Sequence, residues 1–242
     1  MSAADMSGAL SANITVSDLE IMSSAENYRT WMYSRIAPAV GRRILEIGCG
    51  IGNFTRLFLD RELVVAADVY EPCLQQLKLL LGERSNLIPV RLDVSDPATV
   101  ALRPYEFDTV ICLNVLEHVE QDDRALEHMH AVLEPGGRLV LLVPAFPFLY
   151  GSVDRSLAHY RRYTRKTLLP RMRDAGFRIE RSFYMNMVGM VGWFLNNRIL
   201  NHREEDPAQI AFFDRFIAPP AERFERLVPP PFGLSLIAIG VK

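Results

Sequence analysis

The chain has 242 residues, 49% of them hydrophobic and 23% charged, with a formal net charge of −2. That is enough apolar material for one α/β domain with insertions, and disorder is not the default for such a chain. The near-neutral balance argues against a general nucleic-acid binder, which is usually basic overall.

The opening stretch, MSAADMSGALSANITVSD, has neither a basic start nor an apolar run. It reads as a loosely docked arm and not as a signal peptide. Residues 20–39 place Ile21, Tyr28, Trp31, Met32 and Ile36 at near-helical spacing, which predicts one or two amphipathic helices closed by Pro38 and Gly41. An alternation follows. Strands are expected over 42–48, 63–69, 87–94, 107–114 and 137–145, with helices over 53–61, 71–83 and 123–135. Such alternation implies a parallel sheet covered on both faces. A long connection over 146–164 leads to a helix (165–177), a strand (178–185), an insertion (188–231) and a last apolar strand (233–242). A membrane span over 183–200 is disfavoured, because Asn186, Asn196, Asn197 and Arg198 interrupt it. Trp193, Phe194 and Leu195 keep an interfacial helix open as a minority reading.

Four strand ends carry chemistry. The first runs into EIGCGIGNFT, with Gly48, Gly50 and Gly52 between a strand and an expected helix. Glycines there let a ligand approach the backbone, and a helix start favours an anion. The spacing is GxGxG, not the dinucleotide fingerprint, and no GK[ST] of a P-loop follows. Asp68 ends the second strand, where an acid can grip ribose hydroxyls or be an ordinary strand-end acid. Asp93 ends the third, where it can accept from an adenine amino group, beside Val94, or cap the next turn. LNVLEHV (113–119) follows the fourth. Open α/β sheets bind ligands at this edge.

Together these segments resemble class I S-adenosylmethionine-dependent methyltransferases, of the type 11/12 kind. LEIGCGIGNFT is similar to their first motif, LDV to the adenine segment, FDTVICLNVLEHV to the segment after strand four, and LEPGGRLVLLVP to strand five. AENYRTWMYSRIAP, YGSVDRSLAHYRRYT and PPPFGLSLIAIGVK resemble a narrower bacterial group often associated with glycosyltransferases. The resemblance implies a Rossmann-like seven-stranded α/β sheet with helices on both faces and an antiparallel last strand. It implies S-adenosyl-L-methionine as cofactor and S-adenosyl-L-homocysteine as product. The domain plan is then an arm with helices (1–40), a cofactor core (41–187), a substrate-covering helical insertion (188–231) and the final core strand (232–242).

On the same resemblance, the backbone at Gly48, Cys49 and Gly50 would hold the methionine part, with Gly52 and Asn53 completing the loop. Glu46 would order the loop and the ammonium end. Asp68 and Val69 would meet the ribose, Asp93 and Val94 the adenine. Asn114 and Leu116 would wall the sulfur. His159 and His118 are candidate bases, since imidazole titrates near neutral pH. The basic stretch DRSLAHYRRYTRKTL admits a solvated helix face, an anionic-acceptor site or a membrane-surface contact. In the acceptor reading Arg161 or Arg162 would bind the anion, Tyr150 and Tyr163 would line the pocket, and Asp154 would orient His159 or pair an arginine. Arg165, Lys166, Arg171 and Arg173 read as a solvated helix face. His128 and His130 carry no expected role. No clustered metal-ligand set is visible in the sequence, so no metal is expected. Cys49, Cys73 and Cys112 are widely spaced, which suits a reducing compartment.

The expected function is methyl transfer, foremost to oxygen, on a small-molecule or lipid-linked acceptor. The alternatives are a protein or peptide methyltransferase, or a non-catalytic cofactor-binding protein. No nucleic-acid partner is expected. The expected location is the cytoplasm, with contact to the inner membrane face left open, as is the oligomeric state.

Overall fold

The computed structural model describes residues 19–20, 22–194 and 207–242. The expectations for residues 1–18, for Ile21 and for Leu195, Asn196, Asn197 and Arg198 lie outside the described residues.

Helix α1 (Glu26–Ile36) and a 3₁₀ turn (Ala37–Ala39) lead into β1 (Arg43–Ile47). Then come β2 (Leu63–Asp68), α2 (Glu71–Leu81), β3 (Leu87–Arg91) and β4 (Phe107–Leu113). Next are α3 (Asp122–Val132), β5 (Leu133–Pro144), the short α4 (Ser152–Ser156), α5 (Arg165–Asp174) and β6 (Arg178–Met185). The insertion contributes α6 (Met187–Phe194), α7 (Pro207–Phe212), a π turn (Phe213–Ile217) and α8 (Ala218–Leu227) before β7 (Ser235–Val241).

The seven strands form one sheet in the order β3-β2-β1-β4-β5-β7-β6. β1 pairs in parallel with β2 and β4, and β7 is antiparallel to both β5 and β6. The unalternating apolar runs explain the parallel part: β2 is buried at every residue, as a strand covered on both faces must be. One face packs Leu126 and Met129 of α3 and Leu168 and Met172 of α5. The other packs Trp31 and Ile36 of α1, Leu74 and Leu77 of α2, and Ala221 of α8. Chain order reverses at β1 and β4, so their carboxyl ends open a crevice at the switch point.

Two expectations change. The helix expected over 53–61 is only a 3₁₀ turn, Thr55–Leu57. Leu57 and Phe58 N–H bond back three residues, to Phe54 and Thr55 carbonyls, while the fully buried Phe58 side chain draws the segment under the sheet. The long helix dipole expected to face an anion is therefore absent from this turn. The turn after Asp93 extends into a further 3₁₀ segment, Pro97–Tyr105, capped by Asp96, whose carboxylate accepts from Ala98 N–H at 2.7 Å.

The insertion is fastened by two carboxylates. Asp214 accepts from the N–H of Asn27 at 3.3 Å and of Tyr28 at 2.8 Å, at the start of α1. Glu225 accepts from the N–H of Asn186 at 3.0 Å and of Met187 at 2.7 Å, at the start of α6. Among the described residues no helix is long and apolar enough to cross a membrane.

Candidate active site

The loop after β1 turns on glycines in the left-handed region. At Gly48, φ is +74°, and a Cβ would lie 2.1 Å from Val115 Cγ2. At Gly50, φ is +53°, and a Cβ would lie 2.8 Å from Leu19 Cδ1. Only glycine satisfies both the torsion and the space. The Gly48 and Cys49 N–H groups donate to the Ala67 carbonyl, at 2.8 and 3.0 Å, and the Gly50 N–H donates to Asp68 Oδ2 at 2.8 Å. These donors hold the loop against β2, so what the loop offers a ligand is bare Cα surface.

Asp68 accepts from Gly50 through one oxygen and from Tyr70 N–H, at 3.0 Å, through the other. A carboxylate has about four lone-pair sites, so two remain for hydroxyl donors. Burial pushes its pKa up, against the pull of these backbone bonds. Glu46, at the end of β1, is buried and accepts from the Thr55 hydroxyl at 2.6 Å. Burial drives its pKa up to about 8, the Thr55 bond opposing and Asp68 adding. A buried carboxyl with one hydroxyl partner suits a cation. Around it lies a cavity of about 160 Å³, lined by Leu19, Met22, Met32, Gly48, Asn53 and Asn114 among others. The Asn53 side-chain amide donates to the Leu19 carbonyl at 2.9 Å, which closes one side.

A second group assembles beside it. Asn114, with φ of +53°, turns the chain into a 3₁₀ turn, Leu116–His118. Glu117 is buried, and its Oε2 has no hydrogen-bond partner among the described residues. Burial pushes its pKa up to about 8. The loop after β5 folds back over this turn, and the Tyr160 N–H donates to the Glu117 carbonyl at 2.8 Å. The His159 ring meets the His118 ring edge-on, with centroids 4.5 Å apart. Desolvation of its inner side, then the His159 ring, hold His118 below the usual imidazole range.

Asp154 anchors the loop from within. It is fully buried, accepts from the Arg162 guanidinium at 2.7 Å and from Gly151 N–H at 2.9 Å, and its Oδ1 lies 3.0 Å from His159 Nδ1. The Tyr150 hydroxyl donates to the His159 carbonyl at 2.7 Å.

A family model described as a methyltransferase domain matches residues 26–182. The chain belongs to the class I S-adenosylmethionine-dependent methyltransferases. Over 164 residues it is 27% identical to the ubiquinone biosynthesis O-methyltransferase of Thiobacillus denitrificans, an alignment covering 62% of this chain and 70% of that protein. Other curated relatives are matched over about half their length. The fold matches a solved methyltransferase from Mesorhizobium loti with TM-score 0.58 at 18% identity, over 88% of this chain and 98% of that one. It also matches the N-methyltransferase NodS of Bradyrhizobium japonicum, solved with S-adenosylhomocysteine, with TM-score 0.56 at 15% identity, over 90% and 86%.

S-adenosylmethionine is the cofactor of this methyltransferase, and the strand-end residues fit it: a cradle that a Cβ would fill, a buried carboxyl, and an aspartate with spare acceptor capacity. Asp93 is exposed, and its Oδ1 accepts from both the N–H and the hydroxyl of Ser95. Val94 is buried with its carbonyl 2.8 Å from His128 Nδ1, and Val69 is exposed. The Leu116 side chain lies in the core, and Val115 is the neighbour of Gly48.

The structure brings His118, His159, Asp154, Arg162, Tyr150 and Tyr163 into one packed unit, but it turns the arginines inward. Arg161 pairs with Asp122 at 2.7 Å and donates to the Glu120 carbonyl. Arg162 is buried on Asp154, with its guanidinium 4.7 Å from the Trp193 ring. The buried Tyr163 hydroxyl donates toward Asp122 Oδ2 at 2.9 Å. Sequence reasoning missed Glu117 as a site residue, and Trp193 as the link from the insertion to this loop. For Glu117 the signal was its place beside His118 in LEHV.

Proposed function

We propose that this methyltransferase acts on an oxygen of an apolar small-molecule or lipid-linked acceptor, held between the post-β4 turn, the post-β5 loop and the insertion. The reading is carried by the His159–Asp154 contact at 3.0 Å. If His159 Nδ1–H donates to the buried carboxylate, Nε2 keeps its lone pair toward the His118 side of the opening. A hydroxyl placed there can hand its proton to the imidazole as the oxygen takes the methyl.

Bound S-adenosylmethionine supplies a methyl group activated on a sulfonium, transferred by in-line displacement to leave S-adenosylhomocysteine. The chain's part is mainly alignment. In this reading Glu46 faces the ammonium, Asp68 the ribose hydroxyls and Asp93 the adenine, while Asn114 borders the sulfur. The name of the ubiquinone relative supports an oxygen acceptor. Exposed Val191, Phe194, Phe212 and Phe216 on α6, α7 and the π turn support an apolar one. The insertion then serves as substrate cover over the 41–187 core, and its aromatic face allows contact with a membrane carrying the acceptor.

The test is turnover. S-adenosylhomocysteine release is followed with phenols, catechols and hydroquinones bearing apolar tails of graded length, against peptides and amines. O-methylated product that increases with tail length supports the reading. Turnover confined to peptides or amines overturns it.

A further inference from the structure

Glu117 and His118 come from the turn after β4 and His159 from the loop after β5. One ligand atom from each lies within 4.8 Å of the others. We propose that Glu117, His118 and His159 bind a first-row divalent cation, of the zinc, manganese or iron(II) type.

Three observations point the same way. Glu117 Oε2 is buried and lacks any hydrogen-bond partner among the described residues, an arrangement that leaves its desolvation uncompensated unless something fills the place. His159 is held at Nδ1 by the buried Asp154 carboxylate, which sets Nδ1 as the donor and leaves Nε2 as the free ligand atom. A carboxylate–histidine–metal relay has this form. The His118 ring meets the His159 ring edge-on, with centroids 4.5 Å apart, so the two imidazoles share one side of the group. The donor set is two imidazoles and one carboxylate. That set suits first-row transition ions over magnesium or calcium, which take mainly oxygen ligands. Ligand bonds of roughly 2.0–2.2 Å require the three side chains to draw in. The exposed His118 ring has room to do so. Three protein ligands leave positions open for an oxygen from outside.

For the role in turnover, the inference rests on the acceptor-site reading above. A hydroxyl entering the open position is acidified by the cation and releases its proton to solvent. The C–O bond then forms as the C–S bond breaks, its electron pair going to sulfur. His159 is then a ligand, and no imidazole needs to act as base.

The experiment uses the full chain, stripped with a chelator and titrated with cobalt(II) as a visible-absorption probe. Expected is one equivalent bound, displaced by zinc, with affinity lowered at least tenfold in Glu117→Gln and in His118→Ala. S-adenosylhomocysteine affinity and the melting curve of both variants serve as the folding control. No stoichiometric cobalt binding in the wild type, or unchanged binding in both variants, overturns the site. Cobalt binding without any O-methylation keeps the site and overturns the oxygen-acceptor reading instead. Undiminished O-methylation by the metal-stripped protein overturns the catalytic role and returns His159 to the part of base.

Discussion

In the proposed reading, where Glu46 faces the cofactor ammonium, it couples cofactor binding to protons. With its pKa at about 8, the cofactor-free carboxyl carries a proton at neutral pH. A ligand ammonium beside it favours the anion, so binding releases that proton. Affinity for S-adenosylhomocysteine is expected to rise with pH toward 8 and flatten above. Calorimetry in buffers of different ionisation heat would show the released proton in the wild type and its loss in Glu46→Gln. The same group affects stability with a definite sign. Between the ordinary carboxyl range and about 8, the folded chain holds a proton that the unfolded chain has given up. Stability therefore falls as the pH climbs through that window, and Glu46→Gln should flatten the fall in urea titrations. Gly48→Ala tests the cradle. Forcing a side chain to φ of +74° costs about 1–2 kcal/mol, and the clash with Val115 adds to it. Lower unfolding free energy with weakened cofactor binding is expected. An unchanged melting curve would contradict the geometry.

At the scale of elements, the carboxylate fastenings of the insertion matter most. Glu225 caps two backbone N–H groups at the start of α6, the helix that places Trp193 against Arg162. Glu225→Ala leaves those donors without their partner, at a cost of about 1–3 kcal/mol. Hydrogen exchange should then speed up over residues 187–194 while β1 and β4 stay protected. Uniform acceleration across the sheet would mean the insertion is part of the global core. Asp214 does the same for α1, whose Arg29 and Met32 line the cavity around Glu46. Asp214→Ala is expected to weaken S-adenosylhomocysteine binding several-fold in calorimetry. An affinity equal to wild type would show that α1 keeps its place without the cap.

Across the whole molecule, what could be read in advance follows from how local the signal is. Buried parallel strands such as LVVAAD show themselves as unbroken apolar runs, and the glycine and aspartate positions follow from the strand ends. The turn at 53–61 misled because its apolar residues fit a helical period, while Phe58 and the Thr55–Glu46 bond impose a tighter path. The inward turn of Arg161 and Arg162 was hidden because their partners, Asp122 and Asp154, are set by folding and not by spacing. The Glu117–His118–His159 group was hidden for the same reason: one of its three members comes from a different strand end.

The two fastenings of the insertion have a consequence for engineering acceptor range. Asp214 reaches the helix that lines the Glu46 cavity, and Glu225 reaches the helix whose Trp193 meets Arg162 of the post-β5 loop. In the proposed reading, an insertion transplanted from a relative would therefore disturb donor and acceptor sides at once unless it brought both carboxylates in register. Chimeras cut between residues 186 and 234 should be chosen as one block, with Asn27, Tyr28 and Asn186 as the sockets they must fit.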